Sequence, residues 1–150
     1  MHPLILALAL LGGGNSGANH TGADTLSLRD KAVAISNVMR HRLAYIPDSA
    51  RVDVCSIHRA FPRGVDFREL LPPEQGRGIE STERRLCDDP IAHSRSLPPR
   101  HWHLHRVEQI DGRVRVTIRV DDIGESHDED YMMRPRGPVY EVRIYNWVFD

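Results

Sequence analysis

The chain has 150 residues, room for one ordinary hydrophobic core and not for two. With 40% hydrophobic and 27% charged residues it has a globular composition, which excludes collagenous, mucin-like and disordered chains. Twenty Lys+Arg against 21 Asp+Glu leave a net charge of -1, so bulk charge gives no reason to expect nucleic acid or an anionic membrane as partner.

The first feature in chain order is Leu4 to Leu11, an unbroken apolar run. It is shorter than the roughly 20 residues that cross a bilayer and suits the apolar region of a signal peptide. Small residues at Ser16 and Ala18 supply a cleavage pattern. The reading is a leader over 1–18 and one exported domain over 19–150, secreted or periplasmic, with no transmembrane segment after leader removal.

Ser27 followed by Asp30 resembles a capping box, and Leu28, Ala32, Ile35, Met39 and Leu43 recur at helical spacing. This predicts an amphipathic helix over 28–43 that stops ahead of Pro47, because the residue before proline is pushed out of the α region. Alternation in Arg51 to Ile57 predicts a short strand carrying Cys55. From 61 to 100 the chain is proline-rich, with short helical possibilities at 65–71 and 81–86. Cys55 and Cys87 are the only cysteines and, behind a leader, predict one disulfide. It would close a loop of about 33 residues, stabilise the fold by roughly 3 to 4 kcal/mol, and pin the irregular stretch.

Beyond residue 100 the period changes to two. Arg113 to Val120 alternates valine and isoleucine with arginine and threonine, His101 to Ile110 supplies the strand before it, and Asp111-Gly112 marks the turn between them. Residues 139–149 make a last strand with Tyr140, Val142 and Ile144 on one face. Asp121 to Asp130 holds six acids and no base and reads as a solvated loop. Its oxygens suggest calcium, but no EF-hand register fits, and His127 beside Asp128 could at most orient a base. The fold class is α+β: an N-terminal amphipathic helix packed on an antiparallel sheet with a C-terminal three-stranded meander. In element order this is similar to cone-shaped nuclear-transport-factor-like domains, a resemblance that implies a small-ligand chamber between helix and curved sheet.

His101, His103 and His105 alternate on one strand, and such a row can converge on zinc. A two-residue turn at Asp111-Gly112 would put His103 and His105 on the face of Val116 and Ile118. A three-residue loop with a left-handed Gly112 instead sets Trp102 and Leu104 beside Val120 and Ile118. Burying the tryptophan and leucine is worth roughly 2 to 3 kcal/mol each, so the second register is expected, with the histidines on a polar face among Arg115, Thr117 and Arg119. Tyr140, Tyr145, Trp147 and Phe149 fit a central or well-covered last strand, or a partner surface built on Arg143, Tyr145 and Trp147.

No P-loop, nucleophile elbow, dinucleotide fingerprint or H-E-x-x-H pattern occurs. The reading is a non-catalytic extracytoplasmic module that binds a small molecule or an envelope protein on its sheet. The alternative is a metal-dependent hydrolase on His101, His103 and His105, with zinc as the one cofactor considered, so enzyme and binding module both stay open here.

Overall fold

The structure, a computed structural model, describes residues 26–45, 51–76 and 84–150. The expected leader, the polar segment after it and the Pro47 helix stop lie outside these residues. Among the described residues no helix is long and apolar enough to cross a membrane.

Helix α1 spans Leu28–Tyr45 and starts where the Ser27 hydroxyl accepts the Asp30 amide at 3.1 Å. The buried stripe is Ala32, Ile35, Val38 and Arg42, while Leu28 and Leu43, expected inside, are exposed. The helix is rotated from its purely apolar solution because Arg42 must face a buried carboxylate described below.

The sheet has five strands in the order β1 (Arg51–Val52), β2 (His101–Ile110), β3 (Arg113–Asp122), β4 (Glu125–Met133) and β5 (Val139–Phe149). β1 runs parallel to β2 and the rest form an antiparallel meander, so the α+β arrangement with α1 on the sheet is present. The acidic segment is not a loop. β3 continues to Asp122, a tight turn with Gly124 at φ 76° reverses the chain, and the remaining acids form β4. Alternation then divides the acids between two faces, so the oxygen cluster that calcium would need is not assembled.

Arg51 to Ile57 is also not one strand. Asp53 accepts the Cys55 amide at 3.0 Å and starts helix α2 (Val54–Arg59), and this N-cap overrides the short β pattern. The middle of the chain follows the same logic. Asp66 caps a 3-10 turn at Phe67–Leu70, α3 covers Pro73–Gly76, α4 covers Arg84–Asp88, and Asp89 caps α5 (Pro90–Ser96) by accepting two amides. Cys55 and Cys87 are joined as a disulfide, which ties α2 to α4.

The β2–β3 hairpin reconciles the two registers in an unexpected way. The turn has two residues, Asp111 and Gly112 at φ 50° and 72°, and pairs Ile110 with Arg113, contrary to the expected three-residue loop. Yet Trp102 lies opposite Val120 and Leu104 opposite Ile118, because His105 is an extra residue between Leu104 and Arg106. Val107, opposite Val116, obeys the turn, and Trp102 and Leu104 obey the core. The bulge makes both possible.

One sheet face, with Trp102, Leu104, Val114, Val116, Ile118, Val120, Tyr131 and Met133, packs under α1 together with Ile57, Phe61 and Phe67. The layer in which a nuclear-transport-factor-like domain would hold its ligand is filled here by Ile35, Val38, Trp102, Ile118 and Tyr131.

Candidate functional site

The histidines occupy the sheet's other face, as expected, with His101 opposite Asp121 and His103 opposite Arg119. His101 Nδ1 lies 2.9 Å from the Pro98 carbonyl, which can only accept, so Nδ1 carries the proton and Nε2 of the neutral ring carries a lone pair. That Nε2 faces Asp121 Oδ2 at 3.5 Å, and His103 Nδ1 faces the same oxygen at 3.4 Å. The three side chains can each place a ligand atom within 4.8 Å of the others, and all are half-buried. Burial pushes the His103 pKa down against the charges of Asp121 and Asp53, which favours a neutral ring.

His105, the third member of the row in the sequence, is the bulged residue and is exposed, outside this group. Asp121 joins the histidines in its place, which the sequence reading missed by ending the strand at Val120. The signal was available: Asp121 continues β3 directly opposite His101.

The surrounding arginines are already engaged. Arg119 donates to Ser126 at 2.8 Å and to Asp128 at 3.3 Å, and stands 3.8 Å from Asp121. Arg115 pairs with Glu108, and buried Thr117 donates to Asp130 at 2.7 Å. The positive field that these arginines would impose on a cation here is therefore largely compensated.

Beside His103 a cleft of about 340 Å³ opens between α2 and the bulge, lined by Asp53, Ser56, Arg59, Ala60, Leu104 and His105. Ser56 and Asp53 of this cleft, with His93 behind Asp53, do not form a nucleophilic triad. His93 Nε2 is 2.8 Å from Asp53 and its Nδ1 is 3.4 Å from Arg59, so neither nitrogen serves Ser56. The Ser56 hydroxyl donates to the Asp53 carbonyl at 2.6 Å and accepts the Leu104 amide at 2.8 Å. These are structural contacts that cover the edge of β2 where β1 stops. Asp53, Cys55 and His93 also lie close together, but Cys55 is in the disulfide and offers no thiolate.

Under α1 lies a second polar group. Glu129 of β4, almost fully buried, accepts from Arg42 and Tyr131 and stands 2.8 Å from His127 Nε2. Burial pushes the Glu129 carboxyl up, but the Tyr131 hydroxyl, the Arg42 charge and His127 together hold it below its ordinary value. Burial also raises Tyr131, with Glu129 reinforcing it against Arg42, so the phenol stays protonated. His127 and Asp128 point to opposite faces and do not act as a pair.

The last strand is neither central nor covered. β5 is the sheet edge, and Tyr140, Ile144, Trp147 and Val148 are about half exposed, with Phe149 at 71%. Trp147 stacks on His127 at 4.1 Å and on Phe149 at 6.1 Å. Tyr145 turns to the other face and donates to Asp130 at 2.9 Å, whereas Arg143 is exposed. No protein-family model matches the chain, and no curated protein or solved structure is significantly similar to it.

Proposed function

We propose that the chain is an exported, non-catalytic protein-binding module that docks through β5, and that the occupant is β5 of a second copy. The observation that carries this reading is an edge strand of 11 residues that exposes six large apolar side chains, Tyr140, Val142, Ile144, Trp147, Val148 and Phe149. Long apolar edges are templates for strand pairing, and soluble domains ordinarily blunt them.

Charge selects the second copy as the occupant. Glu141 and Arg143 share one face of β5 and have no ion-pair partner among the described residues. Two copies of β5, antiparallel about Val142, bring Glu141 of each opposite Arg143 of the other, and Tyr140 opposite Ile144 on the same two-fold axis. Over residues 139–145 the strand is thus its own complement in charge and in apolar surface. The leader-like N-terminus and the disulfide support an extracytoplasmic setting.

Sedimentation velocity on the full chain at micromolar concentration tests the proposal. The wild type is expected to dimerise, while Glu141→Arg and Arg143→Glu each place like charges in opposition and give monomers. An equimolar mixture of the two variants, and the double exchange in one chain, restore dimers. A monomeric wild type, or single variants that dimerise as well as the wild type, overturns the self-pairing.

A further inference from the structure

We propose that His101, His103 and Asp121 form a binding site for one divalent transition-metal ion, with zinc the best match to the ligand set. The site lies on the sheet face opposite the core, and it is independent of docking through β5.

The argument begins with an arrangement that the protein's own groups leave unresolved. The Pro98 carbonyl fixes the proton of His101 on Nδ1, so the Nε2 lone pair is aimed at Asp121 Oδ2, acceptor against acceptor. His103 Nδ1 converges on the same oxygen. A positive centre between these atoms removes the repulsion, and it can be a proton or a metal.

Distance decides between them. A proton shared with a carboxylate draws nitrogen and oxygen to about 2.7–2.9 Å, whereas both separations here are 3.4–3.5 Å. Two ligand atoms at about 2.0–2.1 Å from a tetrahedral metal are separated by about 3.3–3.4 Å, the edge of the tetrahedron. Nitrogen and oxygen are therefore spaced as co-ligands rather than as a hydrogen-bonded pair.

The supporting shell has the same character. A ligating imidazole ordinarily donates its other N–H to a carbonyl or carboxylate, which fixes tautomer and ring orientation. The Pro98 carbonyl does this for His101. Alternation on two neighbouring strands holds the three side chains, with His101 directly opposite Asp121, so the site stands on rigid sheet rather than on a loop. Two imidazoles and one carboxylate suit a borderline divalent ion such as zinc or cobalt better than calcium or magnesium, which prefer oxygen. Three protein ligands leave a tetrahedral ion one position for water or a small anion.

The test uses the untagged, oxidised full chain. Zinc is titrated in competition with a chromophoric chelator, and cobalt is added in parallel to read the visible absorption of a four-coordinate site. One equivalent of either ion is expected to bind. His101→Ala and Asp121→Asn should each weaken zinc binding by at least about tenfold and abolish the cobalt band, while His105→Ala leaves both unchanged. Circular dichroism and the melting temperature establish that each variant is folded, and His103→Gln supplies a second ligand variant if His101→Ala is not. Absence of stoichiometric binding, or a loss in His105→Ala equal to that in His101→Ala, overturns the site.

Discussion

Replacing Arg42 by methionine should expose how much the fold depends on the buried Arg42–Glu129 ion pair under α1. The two side chains are 3% and 4% exposed, so neither charge has water to fall back on. Removing the guanidinium leaves Glu129 with the Tyr131 hydroxyl and the His127 ring, and breaking a buried pair from one side costs about 3–5 kcal/mol. That is a large part of a total stability of roughly 5–15 kcal/mol, and it corresponds to a fall in Tm of roughly 6–20 °C at about 2–4 °C per kcal/mol. The double variant Arg42→Met/Glu129→Gln removes both charges and should recover most of the loss. The pH dependence should also weaken. In the wild type the depressed Glu129 carboxyl contributes stability above its unfolded value of about 4.3, and this is lost as pH falls through the lower folded value. In Arg42→Met only the Tyr131 hydroxyl and His127 still oppose burial, so the depression of the carboxyl shrinks and the loss of stability on acidification becomes smaller. Thermal and urea denaturation of the four proteins of the cycle, at neutral and mildly acidic pH, make the measurement. A cost below about 1 kcal/mol for Arg42→Met, or a double variant as unstable as the sum of the singles, would refute the reasoning.

Other perturbations test other parts of the structure. Reducing the Cys55–Cys87 bridge should lower stability by about 3.7 kcal/mol on the chain-entropy model, seen as a drop in the urea midpoint with dithiothreitol; an unchanged midpoint would remove the cross-link from any account of stability. His105→Ala, at an exposed bulge position, should change stability by less than about 0.5 kcal/mol. Deleting His105 should cost several times more, because a one-residue slip turns Trp102 and Leu104 away from the core; near-UV tryptophan dichroism would report this, and an unaltered spectrum would argue against the bulge. Ser56→Ala leaves the Leu104 amide without its acceptor and should destabilise by about 1–3 kcal/mol, with faster hydrogen exchange at that amide as the specific readout.

The helix, the disulfide and most of the hairpin were legible in the sequence because each rests on a local rule. Ser27 with Asp30 marked the start of α1, and the alternation of Arg113 to Val120 marked β3. Misreadings occurred where a short-range signal competed with a weaker pattern. Asp53 as an N-cap turned the alternation of Val54 to Ile57 into helix, and Asp89 before Pro90 was an unread start signal for α5. Acidic composition disguised Asp121 to Asp130 as a loop, although a strand at the sheet surface accepts charge when arginine, threonine and tyrosine stand opposite. That misreading hid the carboxylate beside His101 and His103. The edge position of β5 could not be derived from its own residues, since strand order is a property of the whole sheet.

The sheet's two borders are unequal, and this sets a limit on assembly. Past the two residues of β1, Ser56 of α2 takes the Leu104 amide, so the start of that flank is occupied by a strand and a helix; the opposite flank has no such cover among the described residues. Growth by adding strands is therefore favoured on the β5 side. A two-fold pair formed there uses the same border in both copies, so the contact ends at two chains and does not propagate.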